Sequence, residues 1–344
     1  MDQADRVAHR LKLRDLRLLD TVVRSRSMAR AAVQLNLTQP AVSKAISELE
    51  RMLGARLLDR SRAGIEPTPH GRALLRRGAA MFDELRQGVS ELASLSDPTV
   101  GQVRIAASEP IAAGVLPIVI GRLSQLYPRL SIYVTQSPIA MLQQRIPQYA
   151  DLRERNVDLV FGPVVARVAD DGLATEILFD DHLLVAAGAR STCHRRRKLT
   201  LGDVIDRSWC LPPLDSLVGM RCAEAFRAEG LEVPRRTVTS TSTQLQTGLV
   251  TTQKYLTMLP TSFVHFAGPR FTIKALPIKL HVEPRVIGII TLRNRTVSSA
   301  AQLFMEMVRE VTKPLSQARP GSAGAKSHEP PRRGPQRRSV GYDP

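Results

Sequence analysis

The chain has 344 residues, 43% of them hydrophobic, enough for two or three packed units. Lys and Arg number 49 against 32 Asp and Glu, a net charge of +17 that favours polyanionic partners. An aromatic content of 4% argues against stacking platforms for single strands, three scattered cysteines against a disulfide scaffold or zinc motif, and the lack of a long apolar run against a membrane span.

Residues 13–23 read as an amphipathic helix. Ser27 has the chemistry of an N-cap for a short helix over 28–35, and Asn36-Leu37 makes a turn. Thr38 caps the next helix, which runs to about Leu53. Pro40 sits in its first turn, where backbone N–H groups have no intrahelical partner. Residues 57–60 and 65–69, joined by a turn over 61–64, read as a small two-stranded wing. A long helix then runs from Thr68-Pro69 to about Ser96. Its apolar residues Phe82, Leu85, Val89 and Leu92 alternate spacings of three and four, a heptad seam suited to a second chain.

Residues 97–102 read as a hinge. Beyond it, strands are expected over 103–108, 130–136 and 157–162, with helices over 110–126 and 139–155. A second set follows, with strands near 176–187, 237–241, 255–259, 271–276 and 285–293 and helices over 219–229, 243–252 and 298–311. The alternation implies parallel strands with crossover helices, in two α/β lobes flanking a cleft. The first lobe would take about 103–178 and 283–312, the second about 179–282. Pro, Gly, Ser and Arg dominate 313–344, which reads as a disordered basic tail.

Residues 27–53 have the shape of a helix–turn–helix, with Ala31 and Ala32 small enough for close helix crossing and Leu35 and Leu37 placed to seal the turn. Val42, Ile46 and Leu49 form the apolar stripe of the second helix. Its other face carries Gln39, Ser43, Lys44 and Ser47, and no acid occurs from Thr38 to Ser47. Gln39 can pair with adenine, Ser43 with a base or phosphate, and Lys44 with guanine or a phosphate. Ser27, Arg30, Thr38 and Pro40 flank this face. Arg62 at the wing turn is placed for a minor groove, and Arg60 and Arg72 for phosphate.

These residues closely resemble the DNA-binding domain of LysR-type transcriptional regulators. The resemblance rests on Ala31-Ala32, Thr38-Gln39-Pro40-Ala41-Val42-Ser43, Leu49-Glu50, Leu53-Gly54, Leu57-Leu58-Asp59-Arg60 and Thr68-Pro69-His70-Gly71. Leu58 stands where phenylalanine is usual, and Lys44 where arginine is frequent. More loosely, the resemblance covers residues 11–312. It implies an α+β multidomain chain: a winged helix–turn–helix over 11–69, a linker and dimerisation helix over 70–96, the hinge, and an effector domain over 103–312 like the periplasmic solute-binding proteins. It further implies a homotetramer on a dyad-symmetric promoter, a small-molecule effector between the lobes, and contact with RNA polymerase. No membrane partner is expected.

Ser108 ends the first strand and precedes the first helix of that domain, where backbone N–H groups and a hydroxyl can hold an anion; an N-cap role is the plain alternative. Glu109 follows, and a carboxylate there disfavours an anionic ligand, so an organic anion and a neutral sugar both stay open. Thr241, Ser242 and Thr243 lie in a hydroxyl run at a strand-to-helix junction. By matching to the family, Pro138, Gly162 and Pro163 fall at other cleft positions. Residues 253–260 lack the Gly-x-Gly frequent in the family, which predicts a bulkier cleft floor, and the connection over 147–158 is longer than usual.

No Gly-rich phosphate loop, metal-ligand cluster or nucleophile elbow occurs, and histidines 70, 182, 194, 265 and 281 are scattered. Neither an enzyme nor a cofactor is expected. The charged N-terminus has no apolar signal core, so the expected location is the cytoplasm. A sequence-tolerant architectural DNA binder is the alternative function.

Overall fold

The computed structural model describes residues 9–61, 64–97, 100–136, 149–164, 172–235 and 237–317. Pro138, Arg62 and the stretch 318–344 lie outside them.

Three helices open the chain: α1 (Leu13–Ser25), α2 (Met28–Gln34) and α3 (Gln39–Leu53). Ser27 caps α2 by accepting from the Arg30 N–H at 3.4 Å, and Thr38 caps α3 by accepting from the Ala41 N–H at 3.4 Å. Pro40 falls in the first turn of α3, and Gly54, at φ 66°, ends the helix in the left-handed region. The α2–α3 turn closes through the Leu37 N–H on the Ala32 carbonyl, with Asn36 at φ 52°. Leu35 packs on the core beneath, but Leu37 is 47% exposed, so only one of the two leucines seals the turn. Val42, Ile46 and Leu49 are buried among Leu19, Val22, Ala31 and Leu57. Each such burial stabilises by about 1.5–3 kcal/mol, which fixes the roll of α3.

The wing is β1 (Leu58–Ser61) against β2 (Gly64–Pro67), antiparallel. Glu50 turns inward, and one oxygen accepts from the N–H groups of Leu57 at 2.7 Å and Leu58 at 3.2 Å. The Leu-Glu pair therefore ties α3 to the wing. The linker helix α4 (Pro69–Ser96) starts on Thr68, whose hydroxyl donates to the Arg56 carbonyl and accepts from the Gly71 N–H. A Cβ at Gly71 would lie 2.1 Å from the Leu57 carbonyl oxygen. Gly71→Ala must therefore push α4 off the wing, at a cost of roughly 1–3 kcal/mol, read as a lower thermal midpoint.

The remaining elements form two five-stranded mixed sheets. The first lobe has β3 (Gly101–Ala107), β4 (Leu130–Gln136), β5 (Leu159–Pro163), β6 (Leu173–Asp181) and β12 (Arg285–Leu292), in the order β4-β3-β5-β12-β6. The second has β7 (Leu183–Gly188), β8 (Ser208–Leu211), β9 (Thr237–Thr239), β10 (Tyr255–Pro260) and β11 (Ile273–Ala275), in the order β11-β7-β10-β8-β9. Only part of each sheet is parallel. β3 runs parallel to β4 and β5, but β12 is antiparallel to both β5 and β6, and β7 is antiparallel to β10 and β11. The all-parallel expectation fails because β6 and β12 carry the chain between lobes rather than through a crossover helix within one sheet.

Several boundaries differ from the sequence expectation. The sheet changes at His182, between β6 and β7, not at 178, and β3 starts at Gly101, inside the expected hinge. The helix expected over 110–126 is two: α5 (Glu109–Gly114) and α6 (Leu116–Leu126). Pro117 lacks the N–H that would continue the ladder, so the chain restarts there. Of the helix expected over 139–155, the described part is α7 (Ala150–Arg153). The second lobe adds α8 (Leu217–Ala228), α9 (Thr243–Thr251) and α10 (Thr261–Ala267). The last helix, α11 (Ser299–Gln317), carries through Pro314, so residues 313–317, expected in the tail, are helical. Leu315 packs against the first lobe's core and holds the final turn there.

Candidate functional site

Two surfaces gather the candidate residues. On α3, Gln39, Pro40, Lys44 and Ser47 are exposed and Ser43 is half-buried, beside exposed Thr38 and Arg30. The Ser47 hydroxyl donates back to the Ser43 carbonyl at 3.0 Å. Ser27 is half-buried and occupied as the α2 cap. Within the wing, Arg60 shares the face of Leu58 and Ile65, while exposed Asp59 and Glu66 oppose each other on the other face. Arg72 is exposed and donates to the Pro67 carbonyl at 2.6 Å, which spends one guanidinium nitrogen on the wing.

Between the lobes lies a cleft of about 1070 Å³ including its open mouth. Ser108, Glu109, Pro163, Thr241 and Thr243 line it. Ser242 caps α9 through the Leu245 N–H at 3.2 Å instead. Gly162 lies just behind Ser108, where an added Cβ would sit 3.4 Å from the hydroxyl. Ser108 precedes α5 but makes no side-chain cap.

Glu109 does not act as expected. Its carboxylate reaches across the cleft and accepts from the Thr243 N–H, the first residue of α9, at 2.7 Å. This places a negative charge where the helix dipole favours one and bridges the two lobes. Only part of the glycine-free run reaches the cleft. The Gln253 side chain accepts from the Arg190 N–H and lies over Gly188, while Met258, Leu259 and Pro260 line the cleft.

Sequence reading missed four charged or polar groups here. Asp181 ends β6, is buried, and accepts from the Ser262 N–H at 2.9 Å and the Ser262 hydroxyl at 2.6 Å. Burial pushes its carboxyl above the usual range, against the pull of those hydrogen bonds and of His182 and Arg285. Arg285 opens β12 directly across from Asp181, and Arg221 projects from α8. Desolvation brings Arg285 down to about 10, with Arg221 adding to the shift and Asp181 opposing it. Arg221 is lowered for the same first reason and donates to the Glu283 carbonyl. Gln246 lines the cleft from α9. The available signal was a charge at each end of the chain's crossings between lobes, Asp181 going out and Arg285 coming back.

A third feature joins the linker to the first lobe. Asp83 of α4 is fully buried, and Arg295 grips it with two contacts, at 2.7 and 2.8 Å. Arg155 reaches it at 2.9 Å and Arg86 at 3.2 Å, with Arg104 at 3.6 Å. Farther along α4, Met81, Leu85, Val89 and Leu92 are 50%, 53%, 62% and 68% exposed.

Cys193, Cys210 and Cys222 are all buried and free, and burial pushes the Cys222 thiol up to about 12. Burial raises the Cys210 thiol as well, so neither Cys210 nor Cys222 is poised as a thiolate. Among the described residues no group of three or more His, Cys, Asp or Glu side chains is placed to hold a metal, and no helix is long and apolar enough to cross a membrane.

Residues 13–72 match the bacterial regulatory helix-turn-helix protein of the lysR family, and residues 96–313 match the LysR substrate binding domain. The chain is 28% identical to the HTH-type transcriptional regulator GbpR of Azospirillum brasilense, over 87% of this chain and 86% of that protein. It is 24% identical to the HTH-type transcriptional regulator TdcA of Escherichia coli (strain K12), over 87% and 93%. Among solved structures, full-length CbnR complexed with its target DNA superposes with a TM-score of 0.59 at 19% identity, covering 88% of this chain and all of that one. With a helix–turn–helix at one end, a two-lobed domain with a cleft at the other, and both matched to the same family, the chain belongs to the LysR family of DNA-binding transcriptional regulators.

Proposed function

We propose that this regulator binds a dyad-symmetric promoter site as a dimer or dimer of dimers, reading bases with the exposed face of α3, and that an effector in the inter-lobe cleft sets its activity. One observation carries the DNA-reading part: residues 39–47 of α3 expose Gln39, Lys44 and Ser47 without any acid, on a helix whose other face is locked by buried Val42, Ile46 and Leu49. Glu48, the first acid, follows directly, and Glu50 is folded onto the wing. A rigid, acid-free surface at a helix start is what a major groove accepts.

Arg30 and Arg72 hold flanking phosphates, with Ser27 and Thr38 holding the two helix starts that present the face. The two lobes, bridged by Glu109 and Thr243, close on the effector, which meets Ser108 and Thr241. The protein works in the cytoplasm, without catalysis or a cofactor, and passes its state to RNA polymerase at the promoter.

Gln39→Ala tests the reading surface. Losing one bidentate base contact costs about 1–3 kcal/mol, roughly 5- to 150-fold, at a site selected from random DNA. Affinity for unrelated DNA, driven by phosphates, stays the same. Equal losses on both DNAs in a gel-shift titration would favour the sequence-tolerant architectural binder.

A further inference from the structure

We propose that the cleft takes an organic acid, an apolar body bearing a carboxylate that pairs with Arg285 and Arg221. This rests on the effector reading above and deepens it by naming the ligand's chemical class.

The charges in the cleft do not cancel one another locally. Two carboxylates and two guanidiniums line it. Both carboxylates are already bonded, Glu109 to the α9 backbone and Asp181 through both oxygens to Ser262. Asp181 stands directly across the strand pair from Arg285 and would be its obvious partner, yet it turns to Ser262. Among the described residues, the Arg285 guanidinium makes no hydrogen bond and no ion pair, and Arg221 donates only to a neutral carbonyl. The two arginines repel each other across a site whose walls combine apolar Leu183, Val218, Met258 and Ile287 with polar Ser108, Thr241, Thr243 and Gln246. A desolvated cation without a partner costs stability. An anion that enters removes that cost and gains charge-assisted hydrogen bonds. A second anionic oxygen could be met by the Ser108 hydroxyl, which caps nothing. The apolar stretch of Leu183, Val218, Met258 and Ile287 suits a hydrocarbon body on that acid.

The test uses the full chain and two readouts. In ligand-free, low-chloride buffer, Arg285→Met should raise the thermal midpoint by roughly 2–4 °C, because an unpaired desolvated charge becomes an apolar side chain. Benzoate, hexanoate and succinate are then titrated at constant ionic strength beside their amides and galactose. At least one acid should stabilise the wild type where its amide does not, and Arg285→Met and Arg221→Met should each weaken that binding at least about tenfold. A lower midpoint for Arg285→Met assigns the arginine to the scaffold and overturns the proposal. So does a panel in which no acid binds, or in which an amide binds as well as its acid. If galactose stabilises wild type and Arg285→Met equally, the acid class is wrong while the effector reading stands. If an acid binds through Arg285 yet leaves promoter transcription unchanged, the anion site stands and the effector reading falls.

Discussion

Asp83→Ala is expected to lower the stability of the full-length chain by about 3–5 kcal/mol, the range found when one partner of a buried ion pair is removed. The carboxylate is fully buried, and Arg295, whose side chain is 4% exposed, holds it with two contacts. Asp158 would remain to pair with Arg295 at 2.6 Å and Arg104 at 3.1 Å. Asp158 and the half-exposed Glu84 then face four guanidiniums, those of Arg86, Arg104, Arg155 and Arg295. Asp83→Asn should lose most of the same energy, because it keeps the shape but removes the charge. Glu84→Ala is the control: its carboxylate is 55% exposed and, among the described residues, pairs only with Arg155, at 3.2 Å, so its effect should stay within about 1 kcal/mol. Chemical denaturation measures all three. Equal midpoints for Asp83→Ala and Glu84→Ala would mean that the cluster is solvated and unimportant. The cluster also bears on function, because it is where the helix carrying the DNA-binding domain grips the first lobe.

How much of this was legible in the sequence depended on distance along the chain. The α3 helix was legible because its signals are local: the Thr38 cap, Pro40 in the first turn, and the spacing of Val42, Ile46 and Leu49. The wing and the long helix were legible for the same reason. The break at Pro117 was also local but was overridden by the surrounding apolar pattern. β8 was missed because Ser-Trp-Cys-Leu is a short apolar run without alternation, as a fully buried strand can be. The cleft was legible only where family matching pointed. Ser108, Glu109, Thr241 and Thr243 do line it, but the carboxylate of Glu109 is spent on a backbone group 134 positions away. Arg221, Arg285 and the Asp83 cluster depend on partners brought together by the lobes, as with Arg295 and Asp83, 212 positions apart. No periodicity records such a pairing. Glu50 and Gly71 are an intermediate case. Their place in the family pattern was visible, but their reason, a tie to the wing and a close pass by the Leu57 carbonyl, required coordinates.

Leu85→Asp should leave the fold intact and abolish the dimer. The α4 helix has 28 residues, a length of about 42 Å, and along it Met81, Leu85, Val89 and Leu92 stay exposed. Leucine and valine repeating at heptad spacing on an exposed helix are costly in water and are covered when a second copy lies alongside. Around a two-fold axis each residue counts twice, so burying the exposed half of Leu85 contributes about 1.5–3 kcal/mol per dimer. An aspartate there forfeits that gain and adds the desolvation of two like charges. The dimer dissociation constant should rise at least about 100-fold. Sedimentation velocity at micromolar protein should then show a monomer, with the circular dichroism spectrum unchanged because Leu85 touches little within its own chain. Binding to a two-half-site operator should weaken at least as much, since each monomer holds only one half-site. Arg76→Ala, on the same helix but outside the seam, should change neither mass nor affinity. An unchanged mass for Leu85→Asp would place the dimer contact elsewhere and leave the exposed seam without a partner.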